Sequence, residues 1–315
     1  MQKKQNGSSV IQFLKDYKLS SVYCIYFIAI LASFSPVREA HARKDTIETE
    51  YESREYKMLL DASRFSKDTD KAAEVYLETQ LKPLMSALHK PIAVKGSFFA
   101  KKDRSVRFFD TTSCQLKGNG YILRERKDSE SSNELVLKFR SHDFLLAARA
   151  DIARTKLEED VILSENSHEI SRSSFGSSTK RTVDKNTPMQ NLKDIYEVYP
   201  FLTHSELPNG GELHVVSDLM IHEKLYEGPT VDLGNRRAMF AISLWYVKKS
   251  ESLVPILVEL SFQHDLDRGE DRVENSVLIK AWDIFAKLRQ LKWVSKNQST
   301  KTQYVYDYAN FCGSG

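Results

Sequence analysis

Polar and apolar positions alternate with a period of two in several short stretches of this chain. Residues 123–126 (Leu-Arg-Glu-Arg) and 135–140 (Leu-Val-Leu-Lys-Phe-Arg) show it most clearly, and 53–60 and 258–263 extend it. Side chains at i and i+2 of a strand share a face. Arg124 and Arg126 therefore face one way, as do Lys138 and Arg140. A sheet with one apolar and one charged face predicts a water-filled groove or channel on the charged side.

The same patterning predicts the order of elements. A strand is expected over 46–60. A helix follows over 68–88, anchored by Val75, Leu81, Leu84 and Leu88, with Pro83 placed to kink or split it. Strands over 92–100 and 104–110 flank a charged turn at 101–103. A turn at 116–120 precedes an antiparallel hairpin, 121–126 and 134–140, across the polar loop 127–133. Another strand is expected over 155–163. Residues 164–187 are rich in Ser, Thr and Lys and read as a surface loop. A short helix over 191–202, a turn at 208–211 and strands over 213–226, 236–247 and 253–262 complete the middle. The helix over 271–291 has Val273, Val277, Ala281, Trp282, Phe285 and Leu288 on one stripe.

This order is mostly strand to strand, without the alternation that builds a doubly wound parallel sheet. It predicts an α+β fold: an antiparallel, eight-stranded tunnel-like β-barrel, or a strongly curved sheet, with covering helices.

Composition narrows the picture. The 315 residues are 41% hydrophobic and 28% charged, which supports a folded core. A formal net charge of +3 is too small to argue for nucleic acid. Lys3, Lys4, Lys15 and Lys18 precede an apolar run at 22–34, and Ala40-His41-Ala42 offers a cleavage site. Residues 1–42 thus read as a signal peptide, or alternatively as an uncleaved anchor. The expectation is a secreted or periplasmic protein with no stable membrane span after cleavage. Cys114 and Cys312 would remain in the mature chain, either as one disulfide or as two thiols. His204, His214, His222 and His264 show no ligand spacing.

Three motifs, in order, carry a family resemblance. Phe108-Phe109-Asp110-Thr111 is similar to an aromatic-Asp-Thr strand end. Gly120-Tyr121-Ile122-Leu123-Arg124-Glu125-Arg126 is similar to a Gly-x-x-Leu-Arg-x-Arg strand, and 135–140 is similar to the strand that follows it. Together the chain from about 50 to 291 resembles the CYTH, or triphosphate tunnel metalloenzyme, superfamily. That resemblance implies a tunnel domain over 46–295 and a tail over 296–315. It implies phosphate binding by Arg124, Arg126, Lys138 and Arg140, and metal binding by Glu158, Asp160 and Glu259. Glu55 and Lys57 would be the catalytic pair, with Mg²⁺ or Mn²⁺ as cofactor and polyphosphate or another small polyanion as ligand. Arg forks neutralise phosphate bidentately, and hard carboxylate oxygens suit Mg²⁺.

The chain also departs from the pattern. The first-strand Glu-x-Glu-x-Lys reads here as Ser53-x-Glu55-x-Lys57, or in the other register as Glu50-x-Glu52-x-Arg54. The first register directs Tyr56, Met58 and Leu60 outward. The last strand has Ser261 where a second carboxylate is usual. An exported phosphoanhydride hydrolase is therefore one expectation. A non-catalytic polyanion-binding module on the same fold is another, and an interaction protein using the Ser-rich loop or residues 304–308 is a third. The same charged residues on an ordinary solvated sheet face, paired across strands, would account for the pattern without any ligand.

Overall fold

Among the described residues, eleven strands form one sheet, and nine of them close into a ring. The computed structural model describes residues 52–65, 68–128, 132–149, 156–164, 170–204, 210–247, 254–266 and 273–313. The apolar run at 22–34 and the Ala40-His41-Ala42 site lie outside the described residues. Among those described, no helix is long and apolar enough to cross a membrane.

The strands are β1 (Ser53–Leu60), β2 (Val94–Lys95), β3 (Phe99–Asp110), β4 (Tyr121–Lys127), β5 (Ser132–Ser141), β6 (Lys156–Leu163), β7 (Ser171–Asp184), β8 (His214–Val215), β9 (Ile221–Asp232), β10 (Arg237–Val247) and β11 (Leu257–Asp265). Around the ring the order is β9-β10-β11-β1-β6-β7-β5-β4-β3, with β3 pairing back to β9. Every pairing in the ring is antiparallel except β1 with β6, which is parallel. The architecture is α+β and barrel-like, as the alternation predicts. The strand count and the all-antiparallel pairing need correction.

The additional strand is β7. Its Ser- and Thr-rich sequence reads as loop because it lacks large apolar residues. Yet its residues 175–184 pair with β5 and its residues 171–178 with β6, so that every residue of the strand has a partner. Thr favours extended backbone, and small hydroxyl side chains fit a crowded wall. Ser174, Ser177, Ser178 and Thr179 are all buried. A second correction concerns β3, which runs unbroken through the charged 101–103 segment. A register shift between Ala100 and Lys102 on β9 absorbs the irregularity.

Helices cover the apolar exterior. The first is split, as Pro83 requires: α1 (Thr69–Tyr76), a π-helical turn (Leu77–Leu81) and α2 (Lys82–Ser86), with Pro83 in the first turn of α2. These pack with α6 (Asn275–Leu288) on the outward residues Tyr56, Met58, Leu60, Phe240, Ile242 and Phe262. The outward set on β1 is the one the Ser53-x-Glu55-x-Lys57 register requires. On α6 the buried stripe is Val277, Ala281, Ile284, Phe285 and Leu288. Trp282, expected on that stripe, flanks it and is 40% exposed.

Between these lie three short helices, α3 (Gln115–Gly118), α4 (Phe144–Arg149) and α5 (Leu192–Val198). α5 covers Leu123, Leu135 and Leu137 of the β4–β5 hairpin. The chain then ends in α7 (Lys301–Asp307), which belongs to the tail read from the sequence. Its Val305 and Tyr306 are buried with Phe108, Ile221 and Trp245. Cys114 and Cys312 form a disulfide. Asp110 ends β3 inside this corner. It accepts the backbone N–H groups of Thr111, Leu116 and Lys117 and the Tyr306 hydroxyl. The aromatic-Asp-Thr motif thus ties a strand end to α3 and α7.

Candidate functional site: the charged lumen

With leucines and aromatics of the wall turned out under helices, the alternate positions turn into the ring. They line a cavity of about 530 Å³, within the ~300–1,000 Å³ of small-molecule sites. Nine lysines and arginines line it against five glutamates, so its surface is strongly positive.

Of the sequence-predicted residues, Glu55, Lys57, Arg124, Arg126, Lys138, Arg140, Glu158 and Glu259 all line this cavity. Asp160 lies just behind them, 1% exposed. The register explains the gathering. Glu55 stands beside Asp160 across the β1–β6 pair, and Lys138 is opposite Ser178 across β5–β7. Lys138 reaches over β7 at Gly176. A Cβ on Gly176 would press on Lys138 Cε, so a larger residue there must push the end of the lysine aside.

Asp160 is the hub. Its carboxylate meets Lys57 at 2.8 Å, Arg140 at 2.7 Å and Lys138 at 3.3 Å. Burial opposes its charge, but Lys138, Lys57 and Arg140 outweigh burial and hold its carboxyl well below the usual range. Lys57 also contacts Glu55 at 2.8 Å. Burial would lower the Lys57 pKa, yet Asp160, Glu55 and Glu259 raise it above the ordinary lysine value. Glu158 pairs with Lys138 at 3.2 Å and Lys156 at 2.7 Å.

Arg124 is different. Among the described residues it has no salt bridge or hydrogen bond to a carboxylate, and its Nε lacks a partner. Burial, then neighbouring Arg126, Arg104 and Arg140, destabilise its charge and outweigh the attraction of Glu223, pushing its pKa down to about 9. Arg126 is lowered by burial and by Arg104, against the pull of Glu223 and of Glu134, with which it pairs at 3.1 Å. The β4 wall therefore presents guanidinium charge that nearby carboxylates neutralise only in part.

Six charged lumen residues among those described were not singled out from the sequence: Lys156, Lys180 and Glu227, and the three that follow. Arg104 on β3 and Glu223 on β9 form a 2.6 Å ion pair. Glu223, 3% exposed, also accepts from Ser243 Oγ at 3.0 Å and Trp245 Nε1 at 2.9 Å. Burial works against its charge, while Lys301, Arg104 and Arg126 hold its carboxyl well below the usual range. Lys301, from α7, lies 2.9 Å from Glu259 and 3.7 Å from Glu223. The alternation Glu223-Leu225-Glu227, all on the cavity wall, was the available signal for β9. Lys301 had none, because it enters from a helix.

The expected metal ligands do not fit one preformed divalent site. Their oxygen chemistry is right, but each carboxylate already meets an ammonium or guanidinium group. Geometry adds to this. Glu259 is in register with Leu59 of β1, and Asp160 with Glu55, from the opposite side. That offset separates them by roughly 13 Å along the strand, at ~3.3 Å per residue. Among the described residues no group of three or more His, Cys, Asp or Glu side chains converges as a metal site would require.

No protein-family model matches the chain, and no curated protein matches it. Solved structures do match. A candidate adenylyl cyclase from Hippeastrum with a dominant triphosphatase activity is 13% identical, covering 82% of this chain and 96% of its own, with a TM-score of 0.36. A candidate adenylate cyclase from Bacillus halodurans is 12% identical, covering 81% and 98%, with a TM-score of 0.37. The PH1819 protein of Pyrococcus horikoshii OT3 is 9% identical, covering 81% and 99%, with a TM-score of 0.33. Likeness at this level fixes neither substrate nor chemistry.

Proposed function

We propose that this protein binds a triphosphate-like polyanion inside the ring, with the β4–β5 wall as its main contact. The observation that carries this reading is Arg124, a guanidinium in a closed positive lumen with no carboxylate partner of its own. Desolvating such a charge is costly unless something neutralises it. A phosphate chain would relieve both the burial and the repulsion from Arg126 and Arg104. Arg140, Lys138 and Lys57 would extend the contact toward Asp160. Sulfate-sized ions would fill little of the cavity, whereas a chain of phosphates would span several cations at once.

A hydrolytic reading rests on Glu55 and Lys57, which meet at 2.8 Å and open together onto the lumen. Lys57 would neutralise a terminal phosphoryl group, and Glu55 would accept a proton from an attacking water. An oxidising compartment outside the cytoplasm is part of the proposal, and the Cys114–Cys312 disulfide supports it.

The test is calorimetric titration with inorganic tripolyphosphate in EDTA. Wild type is expected to bind one equivalent, and Arg124→Ala to bind it at least tenfold more weakly. Equal binding by both proteins would refute the assignment. Phosphate release in the same samples separates the hydrolase from the binding module.

A further inference from the structure

One cationic side chain of the lumen comes from outside the barrel wall. Lys301 is the first residue of α7, and its ammonium stands between Glu259 at 2.9 Å and Glu223 at 3.7 Å. These carboxylates come from β11 and β9, the two neighbours of β10. Ser243 of β10 sits between them, opposite Glu259 and donating to Glu223. Two carboxylates facing one ammonium, one of them held by the Ser243 hydroxyl, are hard-oxygen donors of the kind a divalent cation takes. A lysine delivered from a separate element takes that place here.

The delivery is built with care on both sides. Upstream, the side chain of Gln298, 3% exposed, accepts from Leu59 N at 2.8 Å and donates to Leu59 O at 3.1 Å. Thr300 caps α7 by accepting from Gln303 N at 3.0 Å. Downstream, Tyr306 donates to Asp110, Ser217 Oγ donates to Val305 O at 2.7 Å, and Cys312 is bonded to Cys114. The Lys301 ammonium also lies 5.4 Å from the centre of the buried Trp245 ring. A strap fixed at both ends costs little further entropy to hold one ammonium in place.

We propose that Lys301 is a tethered cation that serves the Glu223–Glu259 pair in place of a divalent metal, so that this end of the lumen needs no added ion. The role is positional: Lys301 neutralises and orients two carboxylates that would otherwise repel an incoming anion. The claim stands apart from the polyanion reading, because its test uses a metal alone.

Mn²⁺ binding is followed by electron paramagnetic resonance on the full mature chain, with no phosphate present. Lys301→Met keeps the aliphatic stem against Trp245 and removes the charge. It is expected to gain one Mn²⁺ site at least tenfold tighter than any in wild type, while Lys301→Arg gains none. Adding Glu259→Gln to Lys301→Met should abolish the gain. Lys301→Ala serves as the second charge-removing variant should Lys301→Met fold poorly. The proposal is overturned if wild type binds Mn²⁺ as tightly as Lys301→Met. It is equally overturned if folded charge-removing variants gain no site, or if the gained site survives Glu259→Gln.

Discussion

At the scale of single residues, the lumen holds two kinds of cation. Lys57, Lys138 and Arg140 are committed to Asp160, whereas Arg124 makes no salt bridge among the described residues and feels Glu223 only at a distance. This difference predicts opposite mutational behaviour. Asp160→Asn leaves three buried cations without their shared counter-charge and should destabilise by about 3–5 kcal/mol, read as a lower urea midpoint. Arg124→Ala removes a buried charge that Arg126, Arg104 and Arg140 repel and Glu223 attracts, so its urea midpoint should stay level or rise while anion affinity falls. A marked loss of stability in Arg124→Ala would show that the guanidinium has a structural partner. The strand-borne cations were legible from the sequence because i and i+2 share a face, which needs no knowledge of tertiary structure. The ion-pair assignments were not legible. They depend on which strands become neighbours, and the β1–β6 pairing that puts Asp160 beside Lys57 joins segments about a hundred residues apart.

At the scale of elements, apolar periodicity found the segments with large residues and missed the one without them. The hairpin β4–β5 and the long helix α6 follow the predicted pattern closely. β7 does not, since its stability comes from two overlapping ladders and small buried hydroxyls rather than from a hydrophobic face. Gly176 on β7 has a role that only the partner strand reveals. Gly176→Ala should move the Lys138 ammonium off Glu158 and Asp160, and a crystal structure of that variant should show it displaced. An unmoved Lys138 would mean the wall has slack there. α7 was similarly hidden, because a tyrosine-rich segment reads as a tail until its buried face is known. The disulfide that follows it closes a separation of 198 residues. Reduction should cost about 2–5 kcal/mol, seen as a lower midpoint in reductant.

At the scale of the whole molecule, a closed ring of strands obeys a parity rule. All-antiparallel neighbours must alternate in direction, which requires an even number. Nine strands therefore force at least one parallel pair, and it falls at β1–β6, where the two chain segments are joined through other parts of the ring. The loop reading of β7 hid the strand that makes the ring odd, and the split reading of β3 masked the shortfall in the count. The ring also sets the pH response. The carboxyls of Asp160, Glu158 and Glu223 are depressed in the folded state, so the unfolded chain takes up protons first as pH falls. Their stabilisation is complete above about pH 5 and drains away below about pH 4, as pH passes the ordinary carboxylate values and approaches the folded ones. Thermal midpoints should fall steeply within that window; a midpoint that rises on acidification there would reverse the sign.

The central claim is that a phosphate chain sits inside the ring against the β4 wall. Crystals soaked in inorganic tripolyphosphate test it most directly. The account predicts density for a linked phosphate chain within the lumen, with oxygen atoms at hydrogen-bond distance from Arg124 and at least one of Arg126, Lys138 and Arg140. A lumen holding only solvent at saturating tripolyphosphate, or density confined to the outer surface, would contradict it.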